Sequence, residues 1–193
     1  MPDINKEIRE EIIIAGFGGQ GVLLAGKLLS QTAMNSGKEV TYMPSYGAEV
    51  RGGTANCMVF ISEKEIACPV VGKPDSLIAL NKASLAKFGP RLKKGGLLIM
   101  NSSLIKNEPQ LDDSIEIISI PADELAVELG NKKAANMVAL GAYIQRKCYL
   151  TIESVIAALP ETIAERHHKT IPVNTDALRR GAEFVSRELC GQK

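Results

Sequence analysis

The sequence predicts an α/β fold. It is an open, twisted, mostly parallel but mixed sheet with helices on both faces, Rossmann-like in plan, with a helical C-terminal part from about residue 121. Three observations carry this expectation. The β-branched run Ile12-Ile13-Ile14-Ala15 has no polar alternation, the mark of a strand buried on both faces. It runs directly into a glycine-rich turn and then into a mostly apolar helical stretch. Strand-like segments fill roughly the first two thirds of the chain and helix-periodic ones the remainder.

In order, residues 12–15 form the first strand. Residues 20–35 read as a largely buried helix, with Lys27, Ser30, Gln31 and Thr32 as its polar interruptions and Gly37 suited to its C-terminal cap. Residues 39–43 form a second strand, ended by Pro44. Strand, turn, helix and strand make a βαβ unit with a right-handed crossover. Residues 45–53 are an irregular loop and 54–62 a strand. Glu63-Lys64 should turn the chain into a short partner near 66–70, and that hairpin would make the sheet mixed. Residues 75–80 form another strand. Asn81 caps the helix after it, which ends near Gly89-Pro90. Residues 97–100 and 115–120 are the last strands.

Beyond Pro121, Met137, Leu140, Gly141, Ile144 and Cys148 share one helical face. Leu178, Gly181, Ala182, Val185 and Leu189 share another, behind Asn174 as candidate cap. Residues 151–172 read as a shorter helix and a connector. No repeat or low-complexity stretch interrupts the chain, and 193 residues suit a single domain over 1–193.

Composition excludes several function classes. Hydrophobic residues make up 45% and charged residues 23%, the balance of a soluble globular protein. A net charge of +1, 4% aromatics and no Trp argue against nucleic acid and an anionic membrane as partners. Residues 1–11 alternate acid and base, so no signal peptide is expected, and the apolar run 12–15 is too short to cross a bilayer. The expected compartment is the cytoplasm, where Cys57, Cys68, Cys148 and Cys190 stay reduced. No two of them have C-x-x-C spacing, so they read as small packing residues and not as zinc or iron–sulfur ligands. His167-His168 reads as a solvated pair, Lys27 as surface-reaching and Lys93-Lys94 as a solvated turn. Met34, Met43, Met58, Met100 and Met137 read as core fillers.

The segment Gly16-Phe17-Gly18-Gly19-Gln20-Gly21 satisfies G-x-G-x-x-G between a buried strand and a helix. Glycines allow a tight turn and close backbone approach, and a helix N-terminus offers N–H groups to an anion. A dinucleotide site also needs an Asp or Glu about 20 residues on, at the end of the second strand. Here Glu39 begins that strand, and Thr41-Tyr42-Met43-Pro44 ends it. The pattern is therefore open to another phosphate ligand, to tight strand–helix packing, or to docking of another chain. The following loop, Pro44-Ser45-Tyr46-Gly47-Ala48-Glu49-Val50-Arg51-Gly52-Gly53-Thr54-Ala55-Asn56, is the densest polar stretch. Loops leaving the carboxyl ends of parallel strands line the ligand crevice, so it should lie beside the glycine turn. Arg51 would offer a planar charged fork to carboxylate or phosphate, with Glu49 orienting it. The alternative is a solvated surface loop.

The segments Gly16-Phe17-Gly18-Gly19-Gln20-Gly21-Val22 and Ser45 through Cys57 together resemble the gamma subunit of 2-oxoacid:ferredoxin oxidoreductases, with the 2-oxoglutarate type most alike. Val70-Val71-Gly72-Lys73-Pro74-Asp75 and Leu80-Asn81-Lys82-Ala83-Ser84-Leu85 fit the same pattern. The resemblance implies oxidative decarboxylation of a 2-oxoacid, with coenzyme A taking the acyl group and ferredoxin the electrons. It implies partners as well: alpha and beta subunits that hold thiamine diphosphate, and a ferredoxin-like delta subunit with iron–sulfur clusters. This chain has no G-D-G…N thiamine diphosphate motif and would bind no cofactor alone. On this reading Gly16, Gly18, Gly19 and Gly21 supply backbone donors. Gln20, Tyr46, Glu49, Arg51, Gly52, Thr54 and Asn56 meet coenzyme A or a partner, and no residue acts as catalyst. A chain built for docking should expose apolar surface, through which two isolated copies could pair as a homodimer. A stand-alone Rossmann-type NAD(P)- or flavin-dependent oxidoreductase and a purely structural subunit are the alternatives.

Overall fold

The computed structural model describes residues 7–45, 54–107 and 109–191, apart from the side chains of Thr54 and residues 189–191. Six strands form one sheet in the order β2-β3-β1-β4-β5-β6. They are β1 (Arg9–Phe17), β2 (Glu39–Ser45), β3 (Thr54–Ser62), β4 (Ser76–Ala79), β5 (Leu97–Asn101) and β6 (Glu116–Ile120). Three of the five pairings are parallel, which bears out the mixed, mostly parallel sheet.

The antiparallel part does not come from a hairpin at 66–70. Those residues form no strand and are mostly exposed, and Pro69 has no N–H to give to a ladder. Instead β3 inserts between β1 and β2, antiparallel to both, pairing with β1 from Arg9↔Ser62 to Phe17↔Thr54. The crossover from β1 through α1 (Val22–Asn35) to β2 is retained, but it passes over an intervening strand.

Each face of the sheet carries its own core. Ile12, Ile14, Cys57, Val59, Ile78 and Ile99 pack under α1, α4 (Ala135–Lys147) and α7 (Ile171–Gly191). Ile13, Ala15, Leu77, Ala79, Leu98 and Met100 pack against Leu85 and Phe88 of α2 (Lys82–Phe88) on the other face. This two-sided burial is why the run 12–15 lacks polar alternation. Short helices α3 (Ala122–Glu128), α5 (Ile152–Ala157) and α6 (Leu159–Thr162) complete the helical C-terminal part.

Several local readings hold. Gly37, at φ +74°, follows α1 and donates to the Met34 carbonyl. Asn81 accepts from the Ser84 N–H as the N-cap of α2. Others need correction. Asn174 lies inside α7, which begins at Ile171, and donates to Thr170 Oγ1 at 3.3 Å. Cys148 ends α4 in the left-handed region and is exposed, as is Cys68, whereas Cys57 is buried. Met34 and Met43 are exposed, while Met100 and Met137 are core residues. Lys93 pairs with Asp75 at 2.8 Å and Glu11 at 3.6 Å, and His168 Nε2 lies 2.8 Å from the Ile163 carbonyl.

Two features carry stability. Helices α4 and α7 cross at Gly141 and Gly181: a Cβ at Gly181 would land on the Val138 carbonyl, and one at Gly141 on the Leu178 carbonyl. At the amino edge of the sheet, the buried Glu10 carboxylate accepts from Ser76 Oγ at 2.5 Å and pairs with Lys147 Nζ at 2.8 Å. Tyr143 lies 3.4 Å away and shares a 2.7 Å hydroxyl contact with Tyr149. Burial pushes the Glu10 carboxyl above its ordinary 4.5, although Lys147 pulls it down.

Both features can be tested by substitution. Gly181→Ala should lower the unfolding free energy by about 3 kcal/mol through backbone overpacking, as read by urea denaturation. A carboxyl whose folded pKa is raised adds stability that is full below its unfolded pKa and is lost as pH rises through the folded value. Relative to Glu10→Gln, the unaltered protein should therefore lose unfolding free energy as pH rises from 4.5 towards neutrality. A pH series of urea midpoints checks the difference.

Candidate functional site at the carboxyl rim

The connection after β1 crosses to α1 on one face, and that after β4 leads to α2 on the other. The gap between the β1 and β4 ends is therefore the topological switch point, where doubly wound sheets place their ligands. The glycine turn sits there. The Gln20 N–H donates to the Phe17 carbonyl at 3.1 Å, closing the turn over Gly18 and Gly19. Gly19 and Gly21 have φ of +92° and +71°, values that L side chains adopt only with strain.

The half-buried Gln20 side chain is fastened to protein groups. Its Oε1 accepts from the Phe17 N–H at 2.6 Å and from Asn81 Nδ2 at 3.2 Å, and its Nε2 donates to the Leu80 carbonyl at 3.5 Å. One amide thus bridges the ends of β1 and β4. Gly16 makes room for it, since a Cβ there would come within 2.7 Å of Gln20 Oε1. From the opposite side, Asn136 of α4 donates through Nδ2 to the Gly21 carbonyl at 2.9 Å.

The next strand end is tied in the same way. Asn101, fully buried, donates to Asp123 Oδ1 at 2.9 Å and to the Leu80 carbonyl at 3.4 Å. Its own Oδ1 accepts from the Ser103 and Ala122 N–H groups. Lys132 reaches Asp123 at 3.5 Å. The sequence reading missed Asn101, Asp123 and Asn136 as members of this rim. The available signal was a lone Asn at the end of an apolar strand and another within an apolar helix.

Gly21 is the N-cap of α1, so the helix has no side-chain cap, and its first turn carries no acidic residue. Its leading N–H groups and the positive end of its dipole suit an anion. Where a dinucleotide fold would place an acidic residue beside the ribose, β3 brings its start: Thr54 pairs with Phe17, and Asn56 with Ala15 on one side and Ser45 on the other. The second loop leaves β2 at Ser45 and re-enters at Thr54, so both its ends lie on the rim of the glycine turn. Tyr46, Glu49, Arg51 and Gly52 lie outside the described residues. Among the described residues no group of three His, Cys, Asp or Glu side chains could hold a metal ion, and no helix is long and apolar enough to cross a membrane.

Fold and rim define a doubly wound α/β chain whose carboxyl rim presents a glycine turn and the uncapped start of α1. The pyruvate ferredoxin/flavodoxin oxidoreductase family model matches residues 11–184, and the chain belongs to this family. It is 36% identical to the 2-oxoglutarate synthase subunit KorC of Methanothermobacter thermautotrophicus, over 93% of this chain and 96% of that one. Its structure superposes on the gamma subunit of a keto/oxoacid ferredoxin oxidoreductase from Geobacter sulfurreducens with a TM-score of 0.79 and 29% identity, covering 92% and 99% of the two chains. These matches bear out the gamma-subunit resemblance read from the sequence. The fold also recurs, at 21% identity and a TM-score of 0.84, in 2-oxoglutarate:ferredoxin oxidoreductase from Magnetococcus marinus with 2-oxoglutarate, coenzyme A and succinyl-CoA bound. That match covers 95% of this chain and 32% of the other. The chain spans about two fifths of the length of another relative, the ketoisovalerate oxidoreductase subunit VorA of Methanothermobacter marburgensis, with 35% identity over 99% of this chain.

Asn101→Ala would leave the Leu80 carbonyl, Asp123 and two backbone N–H groups short of partners. It should cost about 3 kcal/mol, read by urea denaturation.

Proposed function

We propose that this chain is the gamma-type subunit of a thiamine-diphosphate-dependent 2-oxoacid:ferredoxin (acceptor) oxidoreductase. On this reading the complex converts 2-oxoglutarate and coenzyme A to succinyl-CoA and carbon dioxide, and the released electron pair reduces ferredoxin. Thiamine diphosphate on the alpha and beta subunits supplies the decarboxylation chemistry, and iron–sulfur clusters carry the electrons. This chain contributes surface: the glycine turn and the 45–56 loop form one wall of the interface near coenzyme A. It works in the cytoplasm, holds no redox centre and is inactive alone.

The observation that carries this reading is the meeting of two loops at one rim. The glycine turn opens α1 without a cap, and the second loop starts and ends beside it. A coenzyme A phosphate would meet backbone donors and helix dipole there, with Arg51 as a charged fork from the loop. The choice of 2-oxoglutarate is supported by KorC, which matches along nearly the full length of both chains, whereas VorA extends well beyond the match. A stand-alone nucleotide-dependent oxidoreductase is disfavoured by β3, which stands where the ribose-binding acid would be.

A native pull-down of this chain should recover subunits carrying thiamine diphosphate and iron–sulfur clusters. In the assembled complex, Arg51→Ala should raise the coenzyme A KM by about tenfold, the worth of one charge-assisted contact. Turnover with NAD(P) or flavin by the isolated chain would overturn the proposal. Impaired assembly with unchanged kinetics of the assembled fraction would indicate a purely structural subunit.

A further inference from the structure

The glycine turn has few means of holding its own shape. Two of its residues have positive φ, and none of its glycines has a side chain with which to pack. Its direction decides where the N–H groups of Gly18, Gly19 and the first turn of α1 point. Two side chains from other elements hold it. On one side Gln20 is fastened to Asn81, the N-cap of α2. On the other, Asn136 is fastened to the Gly21 carbonyl, which also accepts the first α1 bond from the Ala25 N–H at 3.0 Å.

We propose that Asn136 is a positioning residue for the anion-binding turn: it fixes the Gly21 peptide, and through it the direction in which the turn and the start of α1 present their donors. Three observations support this. Asn136 is only 3% exposed and lies on a helix whose neighbouring residues are apolar core, where an Asn is poorly suited to packing or to helix formation. Its amide lies against the Gly21 backbone, where an added Cβ would come within 2.5 Å of Nδ2, so the two groups leave each other little freedom. Helix α4 is itself packed closely, backbone to backbone, against α7 at Gly141 and Gly181. The donor thus projects from a packed helix onto a turn built of glycines, which is how a binding geometry is pre-organised. The inference rests on the reading of the turn as a coenzyme A phosphate site.

The test uses the assembled complex, with coenzyme A as the probe. Asn136→Leu keeps the approximate size and stays neutral but loses the donor, and Asn136→Ala removes the side chain beyond Cβ. Each should raise the coenzyme A KM up to about tenfold, the worth of one hydrogen bond, with kcat unchanged. In the free chain, amide exchange should quicken at residues 18–24 and stay unchanged in β4 and β5. If the Asn136→Ala variant proves too unstable to purify, the neutral, similarly sized Asn136→Leu variant gives the answer alone. If Arg51→Ala raises KM and the Asn136 variants do not, the positioning role fails while the site reading stands. If none of the three moves KM, the site reading itself fails and the inference with it. Faster exchange throughout the sheet with kcat and KM both altered would mark Asn136 as merely structural and overturn the proposal.

Discussion

The structure depends on how the carboxyl ends of its buried parallel strands are satisfied. Where such a strand stops, its last peptide groups leave the ladder while still inside the protein, and an unmade bond there costs more than a made one contributes. Side-chain amides answer this need at successive strand ends. Gln20 serves the end of β1, Asn101 serves β5 and the start of α3, and both converge on the Leu80 carbonyl after β4. An amide is suited to this place because it donates and accepts at once and carries no charge to desolvate. The glycine turn can be as bare as it is because neighbouring elements hold it.

The two edges of the sheet use different chemistry. The amino edge is held by ions: Glu10 with Lys147, and Lys93 between Glu11 and Asp75. The carboxyl rim around α1 is held by neutral amides. Helix α3 takes Asp123 and Glu124 into its first turn, whereas α1 takes no acid. A carboxylate at that position would neutralise the helix end from within. Neutral fastening leaves the field of α1 available to an external anion, and it does so without sacrificing the rigidity of the turn.

Much of this fold was legible in the sequence, and the exceptions have physical causes. The runs 12–15 and 97–100 are unbroken because both sheet faces are covered, so no polar residue interrupts them. Residues 54–62 read as a strand, but their pairing with β1 is a non-local choice that no nearby residue encodes. The turn at Glu63-Lys64 therefore suggested a hairpin that Pro69 and exposure rule out. Asn174 has the signature of a cap, yet Pro172, which needs no N–H partner, is at home in the first turn of a helix that starts earlier. The glycine turn was legible as a turn between strand and helix, but the hydrogen bonds of Gln20 were not. A glutamine amide follows its partners, and two of these, Leu80 and Asn81, lie far along the chain.

The inserted strand changes what a glycine fingerprint can be used for. In a dinucleotide domain, the strand beside β1 runs parallel to it and ends in an acid aimed at the ribose. Here the neighbour runs the other way, so its beginning arrives at the rim. A strand end can offer one side chain to a small ligand. A loop anchored at Ser45 and again at Thr54 offers several residues and a backbone, tethered at both ends beside the turn. Such an arrangement suits recognition shared between this chain and a neighbour better than enclosure of a nucleotide by one chain alone. It accounts for a phosphate-type turn and a guanidinium-bearing loop occurring together in a sequence with no ribose-binding acid.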